Sequence, residues 1–125
     1  MSSILGLGID VCGIERMRSL VGCHAFLNRY FTDEERDYIH SKGGSGAQSL
    51  AGLFAAKEAT LKALGVGLMV PFKDIHIDHT QLGQPVCFLA GEAANAAQGG
   101  SILLSITHEE GIAAAIAIWI SEAQA

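Results

Sequence analysis

Three charged residues in this sequence have the types and spacing to hold a metal ion and a phosphate group. Asp10 ends a short apolar segment, and Glu58 and Lys62 lie four residues apart in a segment rich in alanine and leucine. A carboxylate and an ammonium group one helical turn apart can bind a divalent cation and a phosphate together. The same spacing suits a surface ion pair, and Asp10 also suits solvent or the cap of a following helix. The residues alone leave these interpretations open.

Histidine is the other residue type here that could take part in catalysis. The spacing of His76 and His79 does not suit a zinc pair, because residues three apart on a strand point to opposite faces. His108 follows an expected strand, and we expect a turn over residues 107–111 to present it to a pocket. The sequence therefore adds His108 to the candidate site residues.

The segment Ile4–Val11 has the alternation of a strand, with apolar residues on one face. Gly6 and Gly8 share the other face with Asp10, so that face has room for a ligand or for another backbone. The two glycines are not a dinucleotide-binding fingerprint, because the third glycine is missing.

The remaining elements follow from apolar periodicity and from turn and cap residues. Thr32 and Glu35 predict a capping box at the start of a helix. The order of the elements predicts an α+β fold, a single domain over residues 1–125 with a largely antiparallel sheet packed with helices. The predicted segments are strands over 4–11, 74–79, 85–89, 101–107 and 112–120, and helices over 14–29 with a break near Gly22, 32–41, 47–64 and 91–97.

Composition excludes several classes of protein. The net charge of −5 argues against a nucleic-acid binder, and the longest apolar run, Ile112–Ile120, is too short to cross a membrane. Three cysteines with no CxxC pair favour the reducing cytoplasm. Only 17% of the residues are charged, which suggests that another subunit covers part of the surface.

Five sequence blocks, taken together, resemble the holo-[acyl-carrier-protein] synthase family, the small bacterial type of 4′-phosphopantetheinyl transferase. The resemblance covers nearly the whole chain, and the lysine–glutamate block with an upstream Gly-Ile-Asp is highly specific. The blocks are Gly6–Val11 with Ile14-Glu15-Arg16, Phe31–Glu35, Phe54–Gly65, Gly83-Gln84-Pro85 and Leu104–His108.

The resemblance implies transfer of the phosphopantetheine arm of coenzyme A to a serine of apo-acyl carrier protein, for fatty acid biosynthesis. It implies that Asp10 and Glu58 hold Mg²⁺ and that Lys62 and His108 contact coenzyme A. Adenosine 3′,5′-bisphosphate would be the second product. Phosphoryl transfer of this kind needs charge neutralisation, and the candidates for the base are Glu58, Glu109 and a metal-bound water.

The resemblance also implies a homotrimer with sites between subunits, and a carrier that docks on the first helix, where we expect Arg16 to be the main contact. Leu53 stands where many relatives have arginine, and Gly111-Ile112 replaces a frequent aromatic residue. Both departures affect the expected contacts to coenzyme A. Two other functions are considered. The two carboxylates alone permit a Mg²⁺-dependent phosphate enzyme such as a nucleotide pyrophosphatase, and in a non-enzymatic oligomeric binding module Glu58 and Lys62 would form only a helix ion pair.

Overall fold

The computed structural model describes residues 3–122, so residues 1–2 and 123–125 of the expected domain lie outside the described residues. The strands within this range are β1 (Ile4–Gly13), β2 (Ile75–His79), β3 (Pro85–Leu89), β4 (Ser101–Glu109) and β5 (Ile112–Ile120). The helices are α1 (Ile14–Arg18), α2 (His24–Tyr30), α3 (Asp33–Ser41), α4 (Gly46–Leu64) and α5 (Gly91–Ala97), with 3₁₀ turns at Gly43–Ser45, Gly67–Met69 and Phe72–Asp74.

The strands pair antiparallel, which confirms the α+β prediction, but they form two sheets. One sheet has the order β1-β5-β4, and the other is the hairpin β2-β3. Strand β5 has apolar residues on both faces, which favours either a central strand or one covered on both sides, and it is central in its sheet. Glu109 pairs with Ile112, so the turn between β4 and β5 is Glu110-Gly111 and is shorter than the predicted turn over 107–111. His108 therefore lies within a strand.

Helix α4 is the centre of the molecule. Of its 19 residues, 14 are buried, and it packs across one face of the three-stranded sheet. It ends where predicted, because Gly65 adopts a left-handed conformation with φ 72°. The five residues of α4 that are not buried are Gln48, Ser49, Phe54, Glu58 and Lys62. The positions of this helix that reach its surface are therefore few, and they include the partly buried Glu58 and the exposed Lys62.

The helices before α4 follow the predicted boundaries with one difference. The expected break near Gly22 separates α1 from α2 over five residues, 19–23. The capping box at the start of α3 is confirmed, since the Glu35 backbone N–H donates to Thr32 Oγ1 and the Thr32 N–H donates to Glu35 Oε1.

A buried ion pair fastens α3 and β2 to α4. Lys57 Nζ donates to Glu35 Oε1 over 2.6 Å and to the carbonyl oxygens of Tyr30 and Phe72. Glu35 Oε2 accepts the N–H of Ile77 over 2.8 Å. Burial lowers the pKa of Lys57, and the Glu35 carboxylate opposes that shift. The ammonium group also lies 4.8 Å from the centroid of the Phe31 ring. Because the buried charges are paired and hydrogen-bonded, they hold these three segments in a fixed arrangement.

Candidate active site

Gly6 and Gly8 let α4 approach β1 until backbone meets backbone. A Cβ atom at Gly6 would lie 2.0 Å from the Ala63 carbonyl oxygen, and one at Gly8 would lie 1.9 Å from that of Ala59. Only glycine permits this approach. The face of β1 that carries Gly6 and Gly8 is therefore covered by the helix backbone. This contact places Glu58 and Lys62 beside the second half of β1.

Asp10 and Lys62 meet across this contact. Lys62 Nζ donates to Asp10 Oδ1 over 3.1 Å and to the Ile9 carbonyl oxygen over 3.0 Å. The Asp10 side chain is 11% exposed, whereas that of Lys62 is 57% exposed. Between residues 3 and 122 there is no Glu58–Lys62 ion pair, so the surface pair considered for their spacing is not formed. The exposed ammonium group of Lys62 can therefore contact a ligand in solvent, while the aliphatic part of its side chain remains beside Asp10.

Glu58 completes a pair of carboxyl groups. Burial raises the pKa of the Glu58 carboxyl, and a hydrogen bond to Asp10 and the Asp10 charge raise it further. Lys62 and Arg16 act in the opposite direction. Two carboxyl groups that disfavour each other's charge are suited to share a cation, and oxygen donors suit Mg²⁺, which keeps several waters and takes substrate oxygens. The described residues contain no cluster of three or more His, Cys, Asp or Glu side chains for a metal, so this pair would supply two ligands.

Arg16 lies at the edge of the same cluster. Its guanidinium contacts Cys12 Sγ over 3.7 Å and lies 5.9 Å from the centroid of the Phe54 ring. Cys12 is buried, and burial raises the pKa of its thiol. Arg16 itself is exposed, so its charge faces both the Glu58 carboxyl and solvent. The structure thus brings Asp10, Glu58, Lys62 and Arg16 together, and we call these four residues the acidic-site cluster.

His108 lies elsewhere in the chain, at the other end of α4. Its ring Nε2 is 3.0 Å from Gln48 Nε2. Gln48 precedes Glu58 by ten residues, or about 15 Å along a helix axis at 1.5 Å per residue. Both His108 and Gln48 line a cavity of about 300 Å³, and none of the acidic-site cluster lines it. One chain therefore does not bring His108 to Asp10 and Glu58.

The walls of this cavity come from elements that are distant in sequence. Lys42 follows α3, Gln48 begins α4, His79 ends β2 and His108 lies on β4. The lining residues include no carboxylate, although the chain carries a net charge of −5. We call this space the cationic cavity. Leu53 also lines the cavity, so the position where many relatives have arginine lies in the cavity wall.

Sequence reasoning missed several of these residues. Lys57 had a detectable signal, because it continues the apolar stripe of Leu50, Leu53, Leu61 and Leu64 at helical spacing. A charged residue on such a stripe indicates a buried ion pair. Tyr38, Lys42, Gln48 and His79 had no comparable signal, because only tertiary contacts bring them together.

A group of exposed apolar residues lies on the face of the three-stranded sheet opposite α4. Leu7, Ile9 and Val11 are each more than half exposed. The register places Leu103 of β4 on the same face as Leu7. An apolar sheet face of this size is unusual on an isolated chain.

Comparison with known proteins places this geometry in a family. The model of the 4′-phosphopantetheinyl transferase superfamily matches residues 6–117. The chain belongs to that superfamily. A holo-[acyl-carrier-protein] synthase of Treponema denticola is 44% identical over 119 residues, which cover 92% of this chain and 97% of the relative. On these matches the chain is a transferase enzyme of the holo-[acyl-carrier-protein] synthase type.

Solved structures of the family have the same fold. A holo-(acyl-carrier-protein) synthase of Bacillus anthracis in complex with CoA (3′,5′-ADP) has a TM-score of 0.81 and 31% identity, covering 95% of this chain and 98% of that one. A Helicobacter pylori synthase in complex with coenzyme A has a TM-score of 0.79 and 32% identity, covering 92% and 99%. In the described part of the chain, no helix has the length and apolarity that crossing a membrane requires.

Proposed function

We propose that this enzyme transfers the 4′-phosphopantetheine arm of coenzyme A to a serine of apo-acyl carrier protein. The serine oxygen forms a bond to the phosphorus that bears the pantetheine arm. The bond from that phosphorus to the bridging oxygen breaks, and adenosine 3′,5′-bisphosphate leaves. The observation that carries the proposal is the contact of Lys62 with Asp10 in the second half of β1, beside the Glu58 carboxyl.

Asp10 and Glu58 would hold Mg²⁺ in this reaction. When bound, the ion would neutralise charge on the diphosphate. The fit rests on the two carboxyl groups, whose charges disfavour each other and which are partly shielded from water. Lys62 adds a cation at the mouth of the site, where its ammonium can leave Asp10 for a phosphate oxygen.

The serine proton needs an acceptor, and Glu58 is the better placed of the two carboxylates considered. Its raised pKa makes the free carboxylate more basic, and as part of the proposed metal site it lies near the reacting phosphorus. Glu109 alternates with His108 on β4, so it points to the sheet face opposite Asp10. We therefore assign the catalytic base to Glu58.

His108 and the cationic cavity would bind the adenosine and phosphate portion of coenzyme A. The cavity has Lys42, His79 and His108 on its walls and no carboxylate. Its volume of about 300 Å³ is at the lower end for small-molecule sites. The relatives whose solved structures contain coenzyme A support this ligand.

We propose that the active site is completed between subunits of a homotrimer. Within one chain the acidic-site cluster and the cationic cavity lie at different ends of α4. The exposed apolar face of β1, β5 and β4 is available for packing against another copy. A neighbouring subunit could then supply the His108 side of the site.

Arg16 is the proposed contact for the carrier protein. Carrier proteins of this kind are acidic, and Arg16 is a local cation on a chain of net charge −5. Beside it lies an aromatic cluster in which Phe54 and Phe72 have ring centroids 5.3 Å apart. A cation next to aromatic surface suits an acidic helix that also carries apolar side chains.

The remaining parts of the proposal concern the cell and the chain as a whole. We propose that residues 1–125 act as one catalytic domain in the cytoplasm and activate the carrier for fatty acid biosynthesis. Free thiols at Cys12, Cys23 and Cys87 support a reducing compartment.

The test is a mass spectrum of the carrier. The protein is mixed with coenzyme A, Mg²⁺ and apo-acyl carrier protein, and the carrier should gain one phosphopantetheine group. EDTA or Asp10→Ala should prevent the gain. Hydrolysis of coenzyme A without modification of the carrier would support the pyrophosphatase alternative. A folded protein with neither reaction would support a binding module.

A further inference from the structure

Three side chains on the wall of the cationic cavity, those of Tyr38, His79 and Lys42, are stacked on one another. The rings of Tyr38 and His79 are nearly parallel, at 7°, with centroids 4.2 Å apart. Lys42 Nζ lies 4.7 Å from the centroid of the Tyr38 ring. All three residues line the cavity, so an imidazole and an ammonium group face the same space.

His79 is the group in this stack that can change its charge near neutral pH. Burial lowers the pKa of its imidazole, and the Lys42 charge lowers it further. The carboxylates of Asp78 and Glu35 oppose these effects without reversing them. The ordinary pKa of histidine is about 6.5, so the ring is mainly neutral at pH 7 in the free protein.

The other groups around His79 add no further negative charge. The hairpin partner of His79 is Pro85, α3 contributes Tyr38, and α4 contributes the neutral Gln48. Across the cavity His108 is hydrogen-bonded to Gln48. Asp78 accepts the His79 backbone N–H over 2.8 Å. A phosphate that enters the cavity would therefore be the main new anion near this imidazole.

We propose that His79 takes up a proton when a phosphate group binds in the cationic cavity. The inference rests on the proposed function, in which that phosphate belongs to coenzyme A or to adenosine 3′,5′-bisphosphate. An opposite charge within about 4–6 Å favours the protonated imidazole by about 1–3 pKa units. The proton comes from solvent, and the bound imidazolium then faces the phosphate together with Lys42.

The sign of the pH dependence follows from this linkage. Binding raises the pKa of His79, so the affinity for the phosphate is greatest below the pKa of the free protein and is lost as the pH rises through the bound-state pKa. Below about pH 6 the phosphate itself becomes protonated and loses charge, which weakens binding from the other side. Affinity should therefore decrease between about pH 6.5 and about pH 8.5. In this range the phosphate, whose pKa is about 6, already carries most of its charge.

The test is isothermal titration calorimetry with adenosine 3′,5′-bisphosphate at pH 7. The binding enthalpy is measured in several buffers of different ionisation enthalpy, and the slope gives the protons taken up. His79→Phe keeps an aromatic ring on Tyr38 but cannot be protonated. His76→Gln is the matched control, because His76 contacts Thr32 and Glu34 and does not line the cavity.

We expect proton uptake in the wild-type protein, the same uptake in His76→Gln, and less than half of it in His79→Phe. The last variant should also lose most of the pH dependence of affinity. Binding without proton uptake, uptake that His79→Phe leaves unchanged, or no binding at all would each overturn the inference. Carrier modification measured on the same preparation separates the two proposals: modification without uptake removes only this one, whereas absent modification removes the proposed transferase reaction.

Discussion

The two ends of α4 are built in different ways. Near its carboxyl end the helix backbone rests directly on β1, because Gly6 and Gly8 have no side chains, and Glu58 and Lys62 are fixed beside Asp10. Near its amino end, Gln48 meets His108 through long side chains around an open cavity. The first arrangement is rigid and suits a metal ion. The second has side chains that can adjust, which suits a larger anionic ligand.

Loss of the buried ion pair between Lys57 and Glu35 should have the largest effect, because this pair holds the walls of the cationic cavity. Lys57 holds α3, which carries Tyr38 and is followed by Lys42, and its partner Glu35 holds β2, which carries His79. Lys57→Met leaves a buried carboxylate without its cation and should lower the free energy of unfolding by about 3–5 kcal/mol. Urea denaturation would measure the loss.

The double variant Lys57→Met with Glu35→Leu is the control for this prediction. Removing both charges should recover part of the lost stability, since neither group is then left unpaired. A single variant as stable as the wild type would show that the pair does not hold these walls in place.

Glu58→Gln, in the acidic-site cluster, should have the next largest effect, on the rate of the reaction. Loss of a charged group that stabilises the transition state should reduce the rate of carrier modification by about 10²–10³-fold. The melting temperature should not fall, because burial and Asp10 already disfavour the Glu58 charge. The exposed Glu110→Gln, in the β4–β5 turn, is the matched control and should keep full activity. Equal rates for the two variants would remove Glu58 from the reaction.

Glycine-to-alanine variants test whether the backbone of α4 lies directly against β1. Gly8→Ala should cost about 1–3 kcal/mol, because its Cβ would overlap the Ala59 carbonyl oxygen and backbone must move. Gly52→Ala meets only Ile106 Cγ2 at 3.1 Å and should cost less, since a side chain can shift. Gly22→Ala, with nothing within 4 Å, should stay within about 0.5 kcal/mol of the wild type. Thermal unfolding that ranks the three otherwise would contradict the close contact of α4 with β1.

The smallest effect concerns the carrier. Arg16→Glu should raise KM for the carrier by about tenfold, equivalent to about 1.4 kcal/mol, and leave KM for coenzyme A unchanged. Arg18→Glu should have a weaker effect, because Glu15 already pairs with Arg18 at 3.0 Å. An equal rise of both KM values in Arg16→Glu would mean that Arg16 does not distinguish the two substrates.

Much of the fold could be predicted from local patterns. The apolar spacing of α4, its glycine stop and the Thr32 capping box each depend on residues close in sequence. The central position of β5 followed from apolar residues on both of its faces. The division into two sheets did not follow, because strand pairing is set by contacts between distant segments.

The candidate site could be predicted only in part, because residue types are visible in the sequence but contacts between distant segments are not. Asp10, Glu58 and Lys62 could be chosen from residue type and motif, but their contact depends on the glycine face of β1 accepting the helix backbone. The separation of His108 from them depends on how α4 crosses the sheet. No local pattern encodes a crossing angle, so sequence alone grouped His108 with the other three residues.

A complementation experiment tests directly whether one site draws on two chains. Glu58→Gln damages the acidic-site cluster and His108→Ala damages the cationic cavity, where loss of a hydrogen bond to a charged phosphate should reduce kcat/KM by about 10–100-fold. The two inactive proteins are unfolded together, refolded as a mixture, and assayed for carrier modification with coenzyme A below its KM. If each site joins the cluster of one chain to the cavity of its neighbour, random mixing leaves about a quarter of the sites intact, and about a quarter of the wild-type rate should return. A mixture no more active than the two variants refolded separately would contradict a site shared between subunits.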